Sequence, residues 1–219
     1  MKNIRRNRIL RFLYYCYKEV LNNRSYCRGS KNSISNFGVR IKTRVQIKGH
    51  QNCIQIEKGA LLKNVRIIVL GDNNTISINK EAFLSGTELW VEGNHCKLNI
   101  GQRTFIGPSH IAVTEQSDII IGCDCMLSSH VQIRSGDSHS ILSKEINPPM
   151  RINHSRSIFI SDHVWLGEGA KVLKGVTIET DSIVSTGAIV TSSFEKNVLV
   201  GGIPAKVLKN NVTWDKQRL

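Results

Sequence analysis

The stretch IFISDHVWLGEGAKVLKGVTIETDSIVSTGAIVT, residues 158–191, places an aliphatic residue at every sixth position. The six residues are Ile160, Leu166, Val172, Ile178, Val184 and Val190. A second small or aliphatic residue stands two positions before each of them, at Ile158, Val164, Ala170, Val176, Ser182 and Ala188. Hairpins would not keep a six-residue register over such a length, whereas a short strand, a corner and another short strand would. The stretch therefore predicts stacked coils.

The same spacing continues upstream in groups of three residues. The groups are Ile56, Leu62, Ile68; Ile78, Leu84, Trp90; Ile100, Ile106, Ala112; and Ile121, Leu127, Ile133. Their first members are 22, 22 and 21 residues apart, so each coil contains three hexads and three or four additional residues. The additional residues fall in LGDNNT, EGNHCK and TEQSD, which are rich in residues that favour turns. Ile41 and Ile47 are predicted to open the first coil.

Three strands per coil make a triangular prism whose inward side chains stack from coil to coil. The composition agrees, because 40% of the 219 residues are hydrophobic but only 6% are aromatic, leaving an Ile, Val, Leu and Ala core. The predicted fold is all-β, with the prism over residues 32–209 and a C-terminal tail over 210–219.

The N-terminal segment differs from the rest of the chain. Residues 3–23 place Leu10, Leu13, Tyr14, Tyr17 and Leu21 on one face of a predicted helix, and residues 1–31 form a helix and linker. This segment carries nine basic residues and one acidic residue, so it holds +8 of the net charge of +13. The helix is predicted either to pack against the prism or a neighbouring subunit, or to rest on anionic lipid. The sequence predicts no membrane span and no secretory signal, which favours a cytoplasmic protein. Peripheral contact with the inner face of the membrane, through this helix, is the alternative.

Together with the closing VGGIPAKVLK, residues 200–209, the hexads resemble the hexapeptide-repeat acyltransferases. The resemblance implies a left-handed parallel β-helix, a hand that departs from the usual right-handed crossover. It also implies homotrimers with active sites between adjacent prisms, acetyl-CoA as donor and a sugar hydroxyl as acceptor. The coil length and the segment SGDSHSI are similar to bacterial O-acetyltransferases of capsule or lipopolysaccharide sugars, including sialic-acid polymers. Such an acceptor is acidic, which suits a basic chain.

The hexads stop over residues 134–157, where Gly136 and two prolines indicate an excursion from the prism. Acyl transfer to a hydroxyl needs a base that is neutral near pH 7, and histidine meets that need. The resemblance makes His139 the catalytic base. Asp137 is predicted to orient its ring, and a backbone carbonyl group is the alternative for this role. His154 is the alternative base within the excursion, and His130 near its root is predicted to line the acceptor cleft. No nucleophilic serine or cysteine with an attached base is evident, so transfer is predicted to be direct.

The resemblance also assigns the donor site. Trp165 shapes the cleft, and Glu168 and Thr186 stand where backbones of the family contact the pantetheine arm. Thr191 and Ser192 follow at the next corner. Lys206 and Lys209 are placed to meet phosphates.

Three alternatives remain open at this point. The first keeps acetyl transfer but changes the acceptor to serine, an amino sugar or an antibiotic. The second is a zinc protein of the carbonic anhydrase type, although the histidines and the six cysteines lack zinc spacing and no metal is expected. The third is a scaffold that binds nucleic acid, which is disfavoured because no nucleic-acid-reading motif is present.

Overall fold

The computed structural model describes residues 13, 17 and 22–219, and it forms a parallel β-solenoid of about eight coils. In each coil the chain passes through a strand of sheet A, then sheet B, then sheet C. Sheet A contains β1 (Arg24–Arg28), β4 (Arg44–Lys48), β7 (Arg66–Leu70), β10 (Glu88–Glu92), β13 (His110–Thr114), β16 (Gln132–Arg134), β21 (Lys171–Val172) and β24 (Ile189–Val190). Sheet B contains β2 (Ser33–Asn36), β5 (Cys53–Ile56), β8 (Thr75–Ile78), β11 (Lys97–Ile100), β14 (Asp118–Ile121), β19 (Ile158–Ile160) and β22 (Thr177–Ile178).

Sheet C closes the triangle. It contains β3 (Val39–Ile41), β6 (Leu61–Lys63), β9 (Phe83–Ser85), β12 (Phe105–Ile106), β15 (Met126–Leu127), β20 (Trp165–Leu166), β23 (Ile183–Val184), β25 (Val198–Gly202) and β26 (Ala205–Asn210). All neighbours in the three sheets pair in parallel except β25 and β26, which form an antiparallel hairpin at the C-terminal end. A fourth, two-stranded antiparallel sheet, β17 (Leu142–Ser143) and β18 (Met150–Arg151), lies outside the prism. The structure confirms the predicted β-helix.

The core is one aliphatic column that runs the length of the prism. All twelve hexad residues of the 158–191 stretch are buried, with at most 1% of any of them exposed. Burial of one such aliphatic side chain contributes about 1.5–3 kcal/mol, and each coil adds the same kind of layer to the one below it. The column therefore explains why short strands of two or three residues suffice to hold the wall.

The register of sheet A in the upstream coils differs from the prediction. Ile68, Trp90 and Ala112 were expected to point inward, but they stand on the outer face, and their neighbours on either side fill the core. The reason is the length of these strands, which have five residues with two inward positions instead of one. A shift of one residue exchanges the two faces of a strand, so the predicted hexad position was wrong by one residue here.

The additional residues of each upstream coil all lie at one corner, between sheets A and B. This A–B corner contains the three polar segments that the sequence marked as turns. Gly49 and Gly71 stack there with positive φ, and a Cβ on Gly49 would lie 2.0 Å from the carbonyl oxygen of Gly71. The buried amides of Asn52 and Asn74 bond backbone groups of successive coils, which pairs the polar atoms that the corner turns inward.

The two ends of the chain add to the prism. The solenoid begins with β1, before the predicted boundary at residue 32, because β1 pairs with β4 in register. The predicted helix over residues 3–23 lies almost wholly outside the described residues and stays a prediction. Within the predicted tail, Trp214 is buried, stacks on His163 at 4.4 Å and donates to its carbonyl oxygen at 2.8 Å. Among the described residues, no helix has the length and apolar character needed to cross a membrane.

Candidate active site

The excursion from the prism leaves at the A–B corner of the sixth coil. It connects Arg134, the last residue of β16, with Ile158, the first residue of β19. The hairpin β17–β18 forms its outer part, and five large apolar side chains of this segment are exposed: Ile141, Leu142, Ile146, Met150 and Ile152. Exposed apolar groups in such a density are typical of a surface that contacts another protein.

The neck of the excursion is fixed to the coil below it. Glu115, at the A–B corner of the fifth coil, pairs with Arg151 at 2.5 Å and accepts from the hydroxyl of Ser155 at 3.0 Å. The Arg151 guanidinium, and after it Ser155, lowers the pKa of the Glu115 carboxyl. Gly136 lies against Ser155 and Thr114, and a Cβ there would stand 2.1 Å from the Ser155 hydroxyl. A side chain at Gly136 would therefore require the hydroxyl groups of Ser155 and Thr114 to move.

Asn153 holds the segment that carries the two predicted catalytic residues. It is 7% exposed, and its amide nitrogen donates to the carboxylate of Asp137 and to the carbonyl oxygen of His139, both at 2.8 Å. Its amide oxygen accepts from the backbone N–H of Ile141 at 2.8 Å and from the guanidinium of Arg151 at 3.1 Å. One buried side chain therefore holds the backbone of His139 and Ile141 and, before them, the side chain of Asp137.

His139 is exposed, and its ring makes no hydrogen bond or ion pair with the part of the chain that the structure describes. The carboxylate of Asp137 turns to Lys174 instead, at 2.5 Å, as well as to Asn153. The Lys174 ammonium, followed by the Asn153 amide, lowers the pKa of Asp137. Within one chain, Asp137 therefore fixes the loop to the coil above it and does not contact the ring that it was predicted to orient.

The two other histidines of the prediction lie apart from His139. His154 is exposed and follows Asn153 in the returning arm of the excursion. His130 lies at the corner between sheets C and A, where its Nδ1 is 3.2 Å from Glu168.

The predicted donor residues divide between two corners of the prism. Trp165, Glu168 and Thr186 follow one another along the C–A corner, where the carbonyl oxygen of Glu168 accepts from the N–H of Gly187 at 2.8 Å. Lys206 and Lys209, both exposed, continue this line because β26 pairs with β25 in the last coil. Thr191 and Ser192 are also exposed but follow β24 at the A–B corner, two coils above the excursion. Sheet A therefore lies between Thr191 and Ser192 on one side and the other predicted donor residues on the opposite side. The two corners are at most about 20 Å apart, because that is the extended length of one hexad.

The C–A corner fits a long ligand with phosphates at one end. The indole of Trp165 donates to the hydroxyl of Ser128 at 3.3 Å and lies 6.1 Å from the ring of Trp214, so its orientation is fixed. A Cβ on Gly187 would meet nothing within 4 Å, which leaves the backbone open to a ligand. Lys206 supplies positive charge at the end of this line.

A groove of about 460 Å³ lies on the outer face of sheet A beneath the excursion. Trp90, His110 and Arg134 line it together with Asp137 and Ser138. Both ring nitrogens of His110 are buried and unpaired among the described residues, and burial lowers the pKa of this histidine. The outer face of the long sheet A strands is therefore partly covered at His110.

Sequence reasoning missed the residues that hold the excursion, above all Asn153 and Lys174. Their types carry no motif, and their partners lie 16 and 37 residues away in the chain. Within the described ranges, no group of three or more His, Cys, Asp or Glu side chains is arranged to hold a metal ion.

Comparison with known proteins gives the family. No family model matches the chain. It is 34% identical over 109 residues to a polysialic acid O-acetyltransferase of Escherichia coli O1:K1 / APEC, which covers 50% of this chain and 35% of that protein. It is 34% identical over 117 residues to the putative lipopolysaccharide biosynthesis O-acetyl transferase WbbJ of Escherichia coli K12, covering 49% of this chain and 59% of that protein. The chain spans about half the length of the curated relatives it matches.

The solved structures extend the match over nearly the whole chain. The crystal structure of the polysialic acid O-acetyltransferase OatWY has a TM-score of 0.84 and 30% identity, covering 90% of this chain and 92% of that one. The chain belongs to the hexapeptide-repeat acyltransferase family, and it is similar to two polysialic acid O-acetyltransferases and to a putative lipopolysaccharide biosynthesis O-acetyl transferase.

Proposed function

We propose that the chain is an O-acetyltransferase that moves an acetyl group from acetyl-CoA to a hydroxyl of a bacterial surface glycan. The acceptor is a capsule or lipopolysaccharide sugar, with sialic acid as the first candidate. The observation that carries the proposal is the presentation of His139, whose ring is exposed while Asn153 fixes its backbone. The names of the relatives support the acceptor class.

His139 performs the proton transfer in this proposal. Its unprotonated ring nitrogen accepts the proton of the sugar hydroxyl as the oxygen attacks, and the imidazolium returns that proton to the departing sulfur. Acetyl-CoA supplies the acetyl group as a thioester. Trp165, Glu168 and Thr186 bind and orient its arm along the C–A corner, while Lys206 and Lys209 meet its phosphates. A backbone N–H of the prism wall stabilises the charge that develops on the carbonyl oxygen.

The working form of the enzyme is a homotrimer. The excursion that carries His139 leaves the prism at the A–B corner, whereas Trp165 and Glu168 lie on the side of the C–A corner. The proposed base and the donor site therefore meet only across a subunit boundary. The exposed apolar excursion supports such a boundary. The outer face of sheet C adds a second apolar surface in register, made by Val39, Leu61, Phe83, Phe105, Met126, Trp165, Ile183 and Leu199.

The deciding experiment measures thiol release from acetyl-CoA by the full chain against a panel of acceptors. The panel contains polysialic acid, sialic acid oligomers, neutral capsule and lipopolysaccharide sugars, serine, an amino sugar and an aminoglycoside. Acetylated glycan together with one thiol per acetyl group is the expected result. Transfer to serine, the amino sugar or the aminoglycoside alone would show that the acceptor is a small molecule and not a glycan. Absence of thiol release with every member of the panel would contradict the proposed acetyltransferase activity.

A further inference from the structure

We propose that the outer face of sheet A in the first three coils is a docking site for an anionic polysaccharide. The inference rests on the proposed function, since it extends the acceptor site beyond the reacting sugar. Five basic residues form this surface, which is called the basic face below: Arg24, Arg28, Arg44, Lys48 and Arg66.

The register of the strands places these side chains in two rows. Arg24, Arg44 and Arg66 are paired neighbours on β1, β4 and β7, and Arg28 pairs with Lys48 four residues further along each strand. Residues two and four apart on a strand point to the same side, and the intervening residues of β4 and β7 fill the core. All five side chains therefore point outward, at intervals of about 4.8 Å along the prism axis.

The basic face has very little negative charge to balance it. Arg66 pairs with Glu88 at 3.1 Å. The side chains of Arg24, Arg28, Arg44 and Lys48 form no ion pair with any residue that the structure describes. Like charges directly opposite each other on neighbouring strands destabilise a sheet, so the arrangement costs stability in the free protein. A polyanion would remove that cost, which is the physical reason to assign one.

The surface between the two rows suits sugar rings. Tyr26, Gln46 and Ile68 form an uncharged floor, and the same row continues on the next strand with Trp90. A depression of about 760 Å³ includes Tyr26 and Gln46 of the floor, and a second of about 420 Å³ lies towards the C–A corner. Arg24, Arg44 and Arg66 line both of them. Aromatic and uncharged groups can face the rings, while the guanidinium and ammonium groups of the two rows bind carboxylates.

The position of the basic face decides between classes of polyanion. Its floor leads directly into the groove under the excursion, which Trp90, His110 and Arg134 line. The carboxylates beside that groove are already engaged: Glu88 with Arg66, Glu92 with the Trp90 indole, Glu115 with Arg151 and Asp137 with Lys174. A single extended chain can therefore bind its acidic groups on the first three coils and place one sugar beside His139. A lipid surface or a nucleic acid would have no such continuity with the reaction site.

The test compares two quadruple variants of the full chain without acetyl-CoA, with polysialic acid as the probe. One variant replaces Arg24, Arg28, Arg44 and Lys48 with glutamine, and spares Arg66 because it pairs with Glu88. The control replaces four exposed lysines elsewhere with glutamine: Lys58, Lys63, Lys97 and Lys196. Binding is measured at low and at physiological salt, with dextran, a DNA duplex and phosphatidylglycerol vesicles as comparison ligands.

The wild type and the control are expected to bind polysialic acid alike, and the basic-face variant to bind at least about tenfold more weakly with a smaller salt dependence. Replacing the three arginines with lysine keeps the charge and is expected to retain most of the binding. Without ligand, the glutamine variant is expected to melt no lower than the wild type at low salt, because the repulsion is relieved.

Equal binding by the basic-face variant and the wild type would overturn the inference. Tighter binding of the wild type to DNA or to vesicles than to polysialic acid would overturn the assignment to a polysaccharide. Acetyl transfer by the wild type to a short sialic acid oligomer is scored separately. Its absence would contradict the proposed function and leave the binding result standing.

Discussion

The amide nitrogen of Asn153 lies 2.8 Å from the backbone carbonyl oxygen of His139, and at the same distance from the carboxylate of Asp137. A buried side chain of the returning arm therefore fixes the outgoing arm that carries the proposed base. Asn153 is a positioning residue, since it acts through the backbone of His139.

Replacement of Asn153 with alanine removes four hydrogen bonds, to Asp137, His139, Ile141 and Arg151, and is expected to lower the free energy of unfolding by about 1–3 kcal/mol. Turnover is expected to fall by about tenfold or more, because the backbone that carries the ring of His139 is no longer held in place. Steady-state kinetics with a urea titration measure both quantities.

The matched control for Asn153 is Asn74, which is also buried and whose amide bonds two backbone groups of the next coil, the carbonyl oxygen of Gly93 and the N–H of Cys96. Its replacement with alanine is expected to cost similar stability and to leave turnover unchanged. An equal fall in turnover for both variants would show that Asn153 acts through stability alone.

Replacement of His139 with asparagine is expected to lower turnover by at least about 10²-fold, the usual contribution of a general base. The melting temperature and the oligomeric state are expected to stay the same, since the ring is exposed and unpaired in the described chain. His154→Asn is the control and is expected to retain activity. If His139→Asn keeps most of its activity and His154→Asn loses it, the base is His154.

The ion pair between Asp137 and Lys174 predicts a difference in acid stability. A carboxyl whose pKa is lowered on folding stabilises the fold above its unfolded pKa of about 3.9, and this contribution is lost as the pH falls through the lowered pKa. Lys174→Met removes the main cause of the shift, so the variant is expected to be less stable than the wild type near neutral pH and equal to it at the acid end.

The size of this effect is expected to stay below about 1 kcal/mol, because the side chain of Asp137 is 43% exposed and solvent screens the pair. Urea titrations between about pH 2 and pH 7, a range that spans both protonation states of the carboxyl, measure the difference. A difference in stability between wild type and variant that stays the same at acid pH would not come from the ion pair. It would then be assigned to the other hydrogen bond of Lys174, to the carbonyl oxygen of Asn153 at 3.0 Å.

Lys206→Ala tests the donor site. Loss of a charged contact to phosphate is expected to raise the KM for acetyl-CoA by about tenfold with little change in kcat, because the contact lies far from the reacting atoms. Lys196→Ala, an exposed lysine outside the C–A corner, is the control. An unchanged KM in Lys206→Ala would remove the residue from the donor site.

The hexad pattern predicted most of the architecture. All twelve hexad residues between Ile158 and Val190 point inward, as predicted. The additional residues of the upstream coils lie in turns, as their sequences indicated. These features follow from local spacing, because each coil repeats the same short strands and turns. Ile68, Trp90 and Ala112 were placed on the wrong face, because a strand of five residues admits two alternations and the spacing alone does not choose between them.

The sequence by itself determined the solenoid, its aliphatic column and the place where the chain leaves it, since all three are written in the periodicity and in its interruption. Only the tertiary structure decided which side chains meet at that interruption. Asp137, Asn153 and Lys174 come together, and the two rows of the basic face form, because coils distant in sequence stack about 4.8 Å apart. Contacts between coils depend on register and on loop geometry, and neither leaves a periodic signal in the chain.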